Sequence, residues 1–227
     1  MATILLTGGA TRNPIDATRY ISAGASGETA IAVGNALRRE RGPADRILLL
    51  GSAEAGLRAQ LAQWGAPGDS RSFLPFGSTR DLLEQMRAHA SSADVIVHSA
   101  AVGDYEAAPL ATKIPSQRPE ITIRMTPAPK ILDQLRGWAP HAFLVSFKAG
   151  SPEWSAETLE TVARAQLHRT GSDLVFANNL GALNTSAMIV SAKDTTNHAR
   201  RGGAIAALIL AIQASAQYAG TRMQPQT

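Results

Sequence analysis

An apolar, β-branched run, Asp94-Val95-Ile96-Val97-His98-Ser99, gives way to Ala100-Ala101-Val102-Gly103 and then to Asp104-Tyr105. A buried strand that sheds its side chains at its carboxyl end lets a ligand come close to the backbone, and in open α/β sheets that is where ligands sit. Nine residues past Asp104 stands Lys113, a single cation able to meet a phosphate. Thr7-Gly8-Gly9-Ala10-Thr11-Arg12 is a small-residue turn whose N–H groups, hydroxyl and arginine can cradle an anion. It fits neither G-x-G-x-x-G nor G-x-x-x-x-G-K-[ST], and a turn that needs glycine for steric reasons alone would read the same. Ser26-Gly27 opens a helix and leaves unpaired N–H groups for an anion, with Arg19 available as a fork. An N-cap serine beside a surface arginine is the plainer alternative. Phe147-Lys148 offers an aromatic face and a cation where a base and phosphates could sit, although a phenylalanine there also serves as core.

The elements that must position these residues alternate. Short apolar runs at 4–7, 47–51, 72–76, 95–99, 142–147 and 173–177 read as strands, with Pro75 marking the third as an edge. Helical spacing falls at 26–41, 57–64, 78–90, 131–138, 157–169 and 203–218, and Ser78 is placed to cap its helix. Residues 187–190 read as a last, edge strand. This rhythm predicts an α/β fold with a doubly wound, mostly parallel sheet. Residues 107–129 break it. Five prolines flank the alternating Glu120–Met125, which predicts an extended arm or hairpin that pairs with another chain. The expected organisation is one domain over 1–221, with the arm at about 107–129 and a loose tail at 222–227.

Composition narrows the classes. Cysteine is absent, which removes disulfides, thiolate zinc sites and cysteine nucleophiles and fits a cytoplasmic setting. A net charge of +4 without a basic block, and 5% aromatic residues, argue against nucleic acid. The N-terminus has no basic segment followed by an apolar one, and no run is long enough to span a bilayer, so neither a signal peptide nor a membrane anchor is expected. The five histidines show no metal-ligand spacing, and His98 reads as a buried, satisfied histidine. No protein metal site is expected, although Mg²⁺ arriving with a nucleotide needs few protein ligands.

Taken in order, these blocks resemble one family, phosphopantothenoylcysteine synthetase (phosphopantothenate–cysteine ligase), in its stand-alone form. The blocks are Ile4–Ile21, Ser26-Gly27, Asp94–Tyr105, Lys113-Ile114, Pro129-Lys130-Ile131, Val145–Lys148 and Asp173–Asn178. The resemblance implies a Rossmann-like domain with a projecting dimerisation arm, working as a homodimer. It implies a carboxylate activated by CTP or ATP with Mg²⁺: an acyl-nucleotidylate forms, pyrophosphate leaves, and the amine of cysteine displaces the nucleotide. By position, Gly8, Gly9, Ala100, Ala101, Asp104, Lys113, Phe147 and Lys148 would hold the nucleotide, with Asp104 and Lys113 closest to the chemistry. Arg19, Ser26, Gly27 and Asn178 would hold the acid side. The family usually reads R-Y-I-S-N-x-S-S-G-K, and here Ala23, Ala25 and Glu28 replace the asparagine, the first serine and the basic residue, while A-N-D becomes Ala177-Asn178-Asn179. Two alternatives stay open: the same nucleotide chemistry on another acid or amine, and a nucleotide-binding inactive homologue acting as a partner subunit. An NAD(P)-dependent reductase is disfavoured, because the first turn lacks the dinucleotide fingerprint.

Overall fold

The computed structural model describes residues 1–41, 45–117 and 119–222. In chain order the elements are β1 (Thr3–Gly8), β2 (Arg12–Pro14), β3 (Tyr20–Ser22), α1 (Glu28–Arg41), β4 (Arg46–Gly51), α2 (Ala53–Leu61), β5 (Arg71–Pro75), α3 (Thr79–His89) and β6 (Val95–His98). Then follow β7 (Tyr105–Ala107), β8 (Met125–Pro127), α4 (Leu132–Trp138), β9 (Phe143–Gly150), α5 (Ala156–Thr170), β10 (Leu174–Asn179), β11 (Ala187–Ser191), β12 (Thr195–His198) and α6 (Arg201–Arg222).

The apolar runs build an eight-stranded sheet in the order β12-β11-β10-β9-β6-β1-β4-β5. From β10 to β5 every pairing is parallel, while β11 and β12 join antiparallel. Alternation along β1 divides the core. Ile4 and Leu6 point to a cluster with Val33 and Leu37 of α1 and Leu208 and Ile212 of α6. Leu5 points to the opposite cluster with Leu82 and Met86 of α3 and Leu135 of α4. From β1 the chain winds outward to β4 and β5, then returns to add β6 on the other side of β1. The strand order reverses there, so a crevice opens at the carboxyl ends of β1 and β6.

Several boundaries differ from expectation. Residues 187–190 do not form an edge: β12 pairs outside β11 through Ala187–His198 and Val190–Thr195. Its sequence, Thr-Thr-Asn-His, has no apolar alternation to betray a strand. The stretch before α1 is not a plain loop but holds the hairpin β2–β3. Helix α2 begins at Ala53, earlier than the apolar spacing predicts, because Ser52 caps it by accepting from Ala55 N–H. The Ser78 cap is a full capping box with Asp81, and β5 does lie at the sheet edge. Helix α6 runs to Arg222, and the rest of the expected tail lies outside the described residues.

The arm has a hairpin base, β7 paired with β8, and Ile121 and Ile123 beyond it are exposed. Asp16 pins its root. One carboxylate oxygen accepts from Ile114 N–H (2.9 Å), the other from Thr18 N–H and Arg19 N–H (2.8 Å each). These N–H groups, with that of Ile114 foremost, hold the Asp16 carboxyl well below the usual carboxylate range.

Candidate active site

The site begins with a lattice of short bonds that locks the β1 turn to the β6 tip. Ala101 N–H donates to Gly9 O (2.8 Å), and Thr11 N–H donates to Ala101 O (3.0 Å). Thr7 Oγ1 accepts from Ala100 N–H (3.0 Å), and Thr11 Oγ1 accepts from Gly103 N–H (2.9 Å). Asn13 donates to Tyr105 O (3.0 Å) and accepts from Thr79 N–H (2.9 Å). Side chains from the first strand and turn therefore fix the backbone of the small-residue tip. That role for Thr7, Thr11 and Asn13 was not legible in the sequence.

Glycine is required at two points of this lattice. Gly9 and Gly27 have φ of +87° and +78°. A Cβ on Gly27 would lie 2.5 Å from Ala55 Cβ, and one on Gly8 would lie 2.6 Å from Ala30 Cβ. Gly8 thus serves the packing of α1 on β1, while Gly9, crowded by Ser52, and Gly27, crowded by Ala55, also border the open space beyond the strand ends.

That space is a cleft of about 1050 Å³ over the carboxyl ends of β1, β6, β9 and β10. It gathers Gly9, Ser26, Gly27, Ala100, Ala101, Asp104, Phe147, Lys148 and Asn178 from the predicted set. Gly8, Arg19 and Lys113 lie outside its lining. Arg19 pairs with Asp16 and donates to Ile114 O (3.2 Å), so it braces the arm root. Lys113 is exposed beside that root. Ala23, Ala25 and Glu28 also line the cleft, at the mouth formed by the start of α1.

Phe147 stacks on the fully buried Phe176, with centroids 4.8 Å apart and planes at 16°, which fixes the ring that borders the cleft. Behind it, Gln166 donates to Ser146 Oγ (3.0 Å) and Phe147 O (3.1 Å). Asn178 is 6% exposed, and its side-chain amide makes no hydrogen bond within the described residues. Lys148 Nζ lies 5.9 Å from the Trp154 ring centroid. The lining adds three cations beyond the predicted ones: Lys130, paired with Asp104; Arg169, paired with Asp133; and Arg201. Arg201 reaches Thr29 across 172 residues of sequence, a proximity that no local pattern could signal.

His98 is buried at the cleft floor, where Nδ1 shares a hydrogen bond with Thr7 Oγ1 (3.0 Å). Burial pushes its imidazole pKa down from 6.5 to about 4. Between those values the unfolded chain takes up a proton that the folded chain refuses, so stability falls as pH is lowered, by roughly 3 kcal/mol in full. Urea melts at about pH 7.5 and pH 4.5 check this, with His98→Gln expected to remove most of the His98 share. A pH slope unchanged in that variant would contradict it.

The family model described as the DNA/pantothenate metabolism flavoprotein C-terminal domain matches residues 1–211. The coenzyme A biosynthesis bifunctional protein CoaBC of Thermococcus kodakarensis is 33% identical over 182 residues, 79% of this chain and 41% of that protein. The chain thus spans about two fifths of the length of the curated relatives it matches. Among solved structures, the DNA/pantothenate metabolism flavoprotein from Streptococcus pneumoniae superposes with a TM-score of 0.82 at 22% identity, covering 94% of this chain and 99% of that one. A Cab2 mutant in complex with phosphopantothenate-cysteine gives 0.76 at 18% identity, covering 98% and 89%. These two likenesses establish the shared α/β fold.

Proposed function

The chain belongs to the family of the DNA/pantothenate metabolism flavoprotein C-terminal domain, and from that membership we propose that its cleft joins 4′-phosphopantothenate to cysteine at the expense of a nucleoside triphosphate. The observation that carries the reading is the convergence on one cleft of the bare β6 tip, the Phe147 ring, the free Asn178 amide and the first turn of α1. A carboxylate is a poor acyl donor, and joining it to a nucleotide phosphate supplies a good leaving group. The protein's task is then to position two anions against each other and to neutralise phosphates.

In this reading the base packs on Phe147, with Ala100 and Ala101 admitting base and sugar to the backbone. Asp104, paired with Lys130, faces the ribose side. The N–H groups of the first turn of α1, which have no intrahelical acceptor, face phosphate. Lys113 reaches the triphosphate only if the arm carries it to the cleft. CTP and ATP are both candidates. Mg²⁺ would arrive with the triphosphate, where it would help neutralise charge and need few protein ligands. The exposed Ile121 and Ile123 of the arm suit a homodimer, in keeping with the resemblance. No helix among the described residues is long and apolar enough to cross a membrane, and a cytoplasmic setting is part of the proposal.

Pyrophosphate release tests the reading. It is expected only when CTP or ATP, phosphopantothenate and Mg²⁺ are all present, with ligated product after cysteine is added. One observation favours a second reading, in which the acid differs: at the cleft mouth Ala23 and Ala25 present methyl groups where the resemblance expects an asparagine and a serine, and Glu28 a negative charge where it expects a cation. Ala23→Asn is therefore expected to raise kcat/KM for phosphopantothenate about tenfold or more, the scale of one gained hydrogen bond to a charged group. No gain, together with release driven by a different acid, favours the second reading.

A further inference from the structure

Glu28 opens α1 at the cleft mouth, in the turn that faces phosphate in the proposed reading. A carboxylate there stabilises the helix dipole but repels a phosphate that uses the same N–H groups. The cleft therefore needs a cation close by, and the other lining cations differ in how free they are. Lys130 and Arg169 are each paired with a carboxylate, whereas Lys148, over the Trp154 ring, has none at ion-pair distance among the described residues. Arg201 has no carboxylate partner at ion-pair distance among the described residues. As the first residue of α6, it lies where α6 meets the start of α1.

Its setting is unusual for an arginine. Nη2 donates to Thr29 Oγ1 (2.7 Å), and the guanidinium carbon lies 5.4 Å from the Phe176 ring centroid. Nη1 is buried without any hydrogen-bond partner. Burial disfavours the charged form and Glu28 counteracts that, yet a guanidinium stays protonated. A buried charged donor left unpaired is costly, so the resting position holds one hydrogen bond unmade. An anion entering beside the first turn of α1 can supply it. The guanidinium must turn from the wall, giving up the Thr29 bond for a two-pronged pair with phosphate oxygens.

We propose that Arg201 is a polyphosphate-receiving cation of this cleft, parked between Thr29 and Phe176 and offsetting the charge of Glu28. The nature of the ligand rests on the nucleotide reading above; the anion claim is tested apart from it. Phe176 also stacks on Phe147, so a turn of Arg201 connects the phosphate end of the cleft to the ring assigned to the base.

The experiment is calorimetric titration of wild type, Arg201→Gln, Arg201→Lys and Glu28→Gln with inorganic tripolyphosphate, CTP, ATP and the corresponding nucleosides, with thermal melts of each variant. Wild type is expected to bind tripolyphosphate. Arg201→Gln is expected to weaken tripolyphosphate and the triphosphates tenfold or more, to leave nucleoside binding unchanged and not to lower Tm. Arg201→Lys should retain part of the affinity, and Glu28→Gln should raise it severalfold. Undiminished tripolyphosphate binding by Arg201→Gln overturns the inference, and so does an equal loss of nucleoside and tripolyphosphate with a lowered Tm. Wild type that binds no tripolyphosphate also overturns it, while CTP or ATP binding then judges the nucleotide reading separately. Tripolyphosphate binding that depends on Arg201, without nucleotide binding, supports the inference and removes that reading.

Discussion

Gly27→Ala is expected to melt about 10 °C below wild type and to lose measurable ligand binding with it. Two costs combine. The left-handed backbone of Gly27 penalises any Cβ by about 1–2 kcal/mol. The added methyl would also lie 2.5 Å from Ala55 Cβ and 3.1 Å from Gly9 N, where backbone must move, which adds roughly 1–3 kcal/mol. Because the obstructing atoms include the Gly9 turn, the strain is transmitted to the side of the cleft proposed to hold the nucleotide. Gly24→Ala is the control: Gly24 lines the same cleft, but nothing lies within 4 Å of its Cβ position and its φ is not positive. Its Tm is expected to stay within about 2 °C of wild type, the scatter of neutral substitutions. Equal melting of the two variants would sink this account of the turn.

Asn178→Ala is expected to lower kcat/KM on the order of a hundredfold with little change in Tm, the scale of losing one donor aimed at the reacting groups. The neighbouring residue makes the contrast. Asn179 donates to Ser151 O (2.9 Å), Pro152 O (3.3 Å) and Trp154 O (3.1 Å) and accepts from Gly181 N–H (2.7 Å). Asn179→Ala is therefore expected to cost stability, about 1–3 kcal/mol, chiefly through carbonyls left without their donor. The amide of Asn178 has no such duty and faces the cleft. Denaturant melts and steady-state rates on the two variants separate the roles; a stable, active Asn178→Ala protein would remove Asn178 from the site. The pair also accounts for asparagine where the resemblance expects aspartate. A carboxylate at 179 could not donate to three carbonyls.

These contrasts show what a chain reveals before it is folded. Ile4–Thr7, Ile47–Gly51 and Val95–Ser99 were readable as strands because buried parallel strands carry uninterrupted apolar runs. The hairpin of Arg12–Pro14 with Tyr20–Ser22 was not, since three-residue polar strands have no period to detect. The same holds for Thr195–His198. At the site, the bare tip from Ala100 to Asp104 and the Phe147 ring were legible because their chemistry is local. Thr7 beneath Ala100, Thr11 beneath Gly103 and Thr29 beside Arg201 were not, because each contact spans about ninety residues or more. The arm root tells the same story. Arg19 invites a ligand role by type, yet it spends its guanidinium on Asp16 and Ile114 O.

The central claim is that a carboxylate is activated in this cleft as an acyl-nucleotidylate, and oxygen tracing tests it most directly. Phosphopantothenate labelled with ¹⁸O in its carboxylate is turned over with CTP or ATP, Mg²⁺ and cysteine, and the products are weighed by mass spectrometry. The account predicts that one labelled oxygen passes to the phosphoryl group of the released nucleoside monophosphate, while pyrophosphate stays unlabelled. Label found instead in inorganic phosphate beside a nucleoside diphosphate, or no release of nucleotide products with this acid, would contradict it.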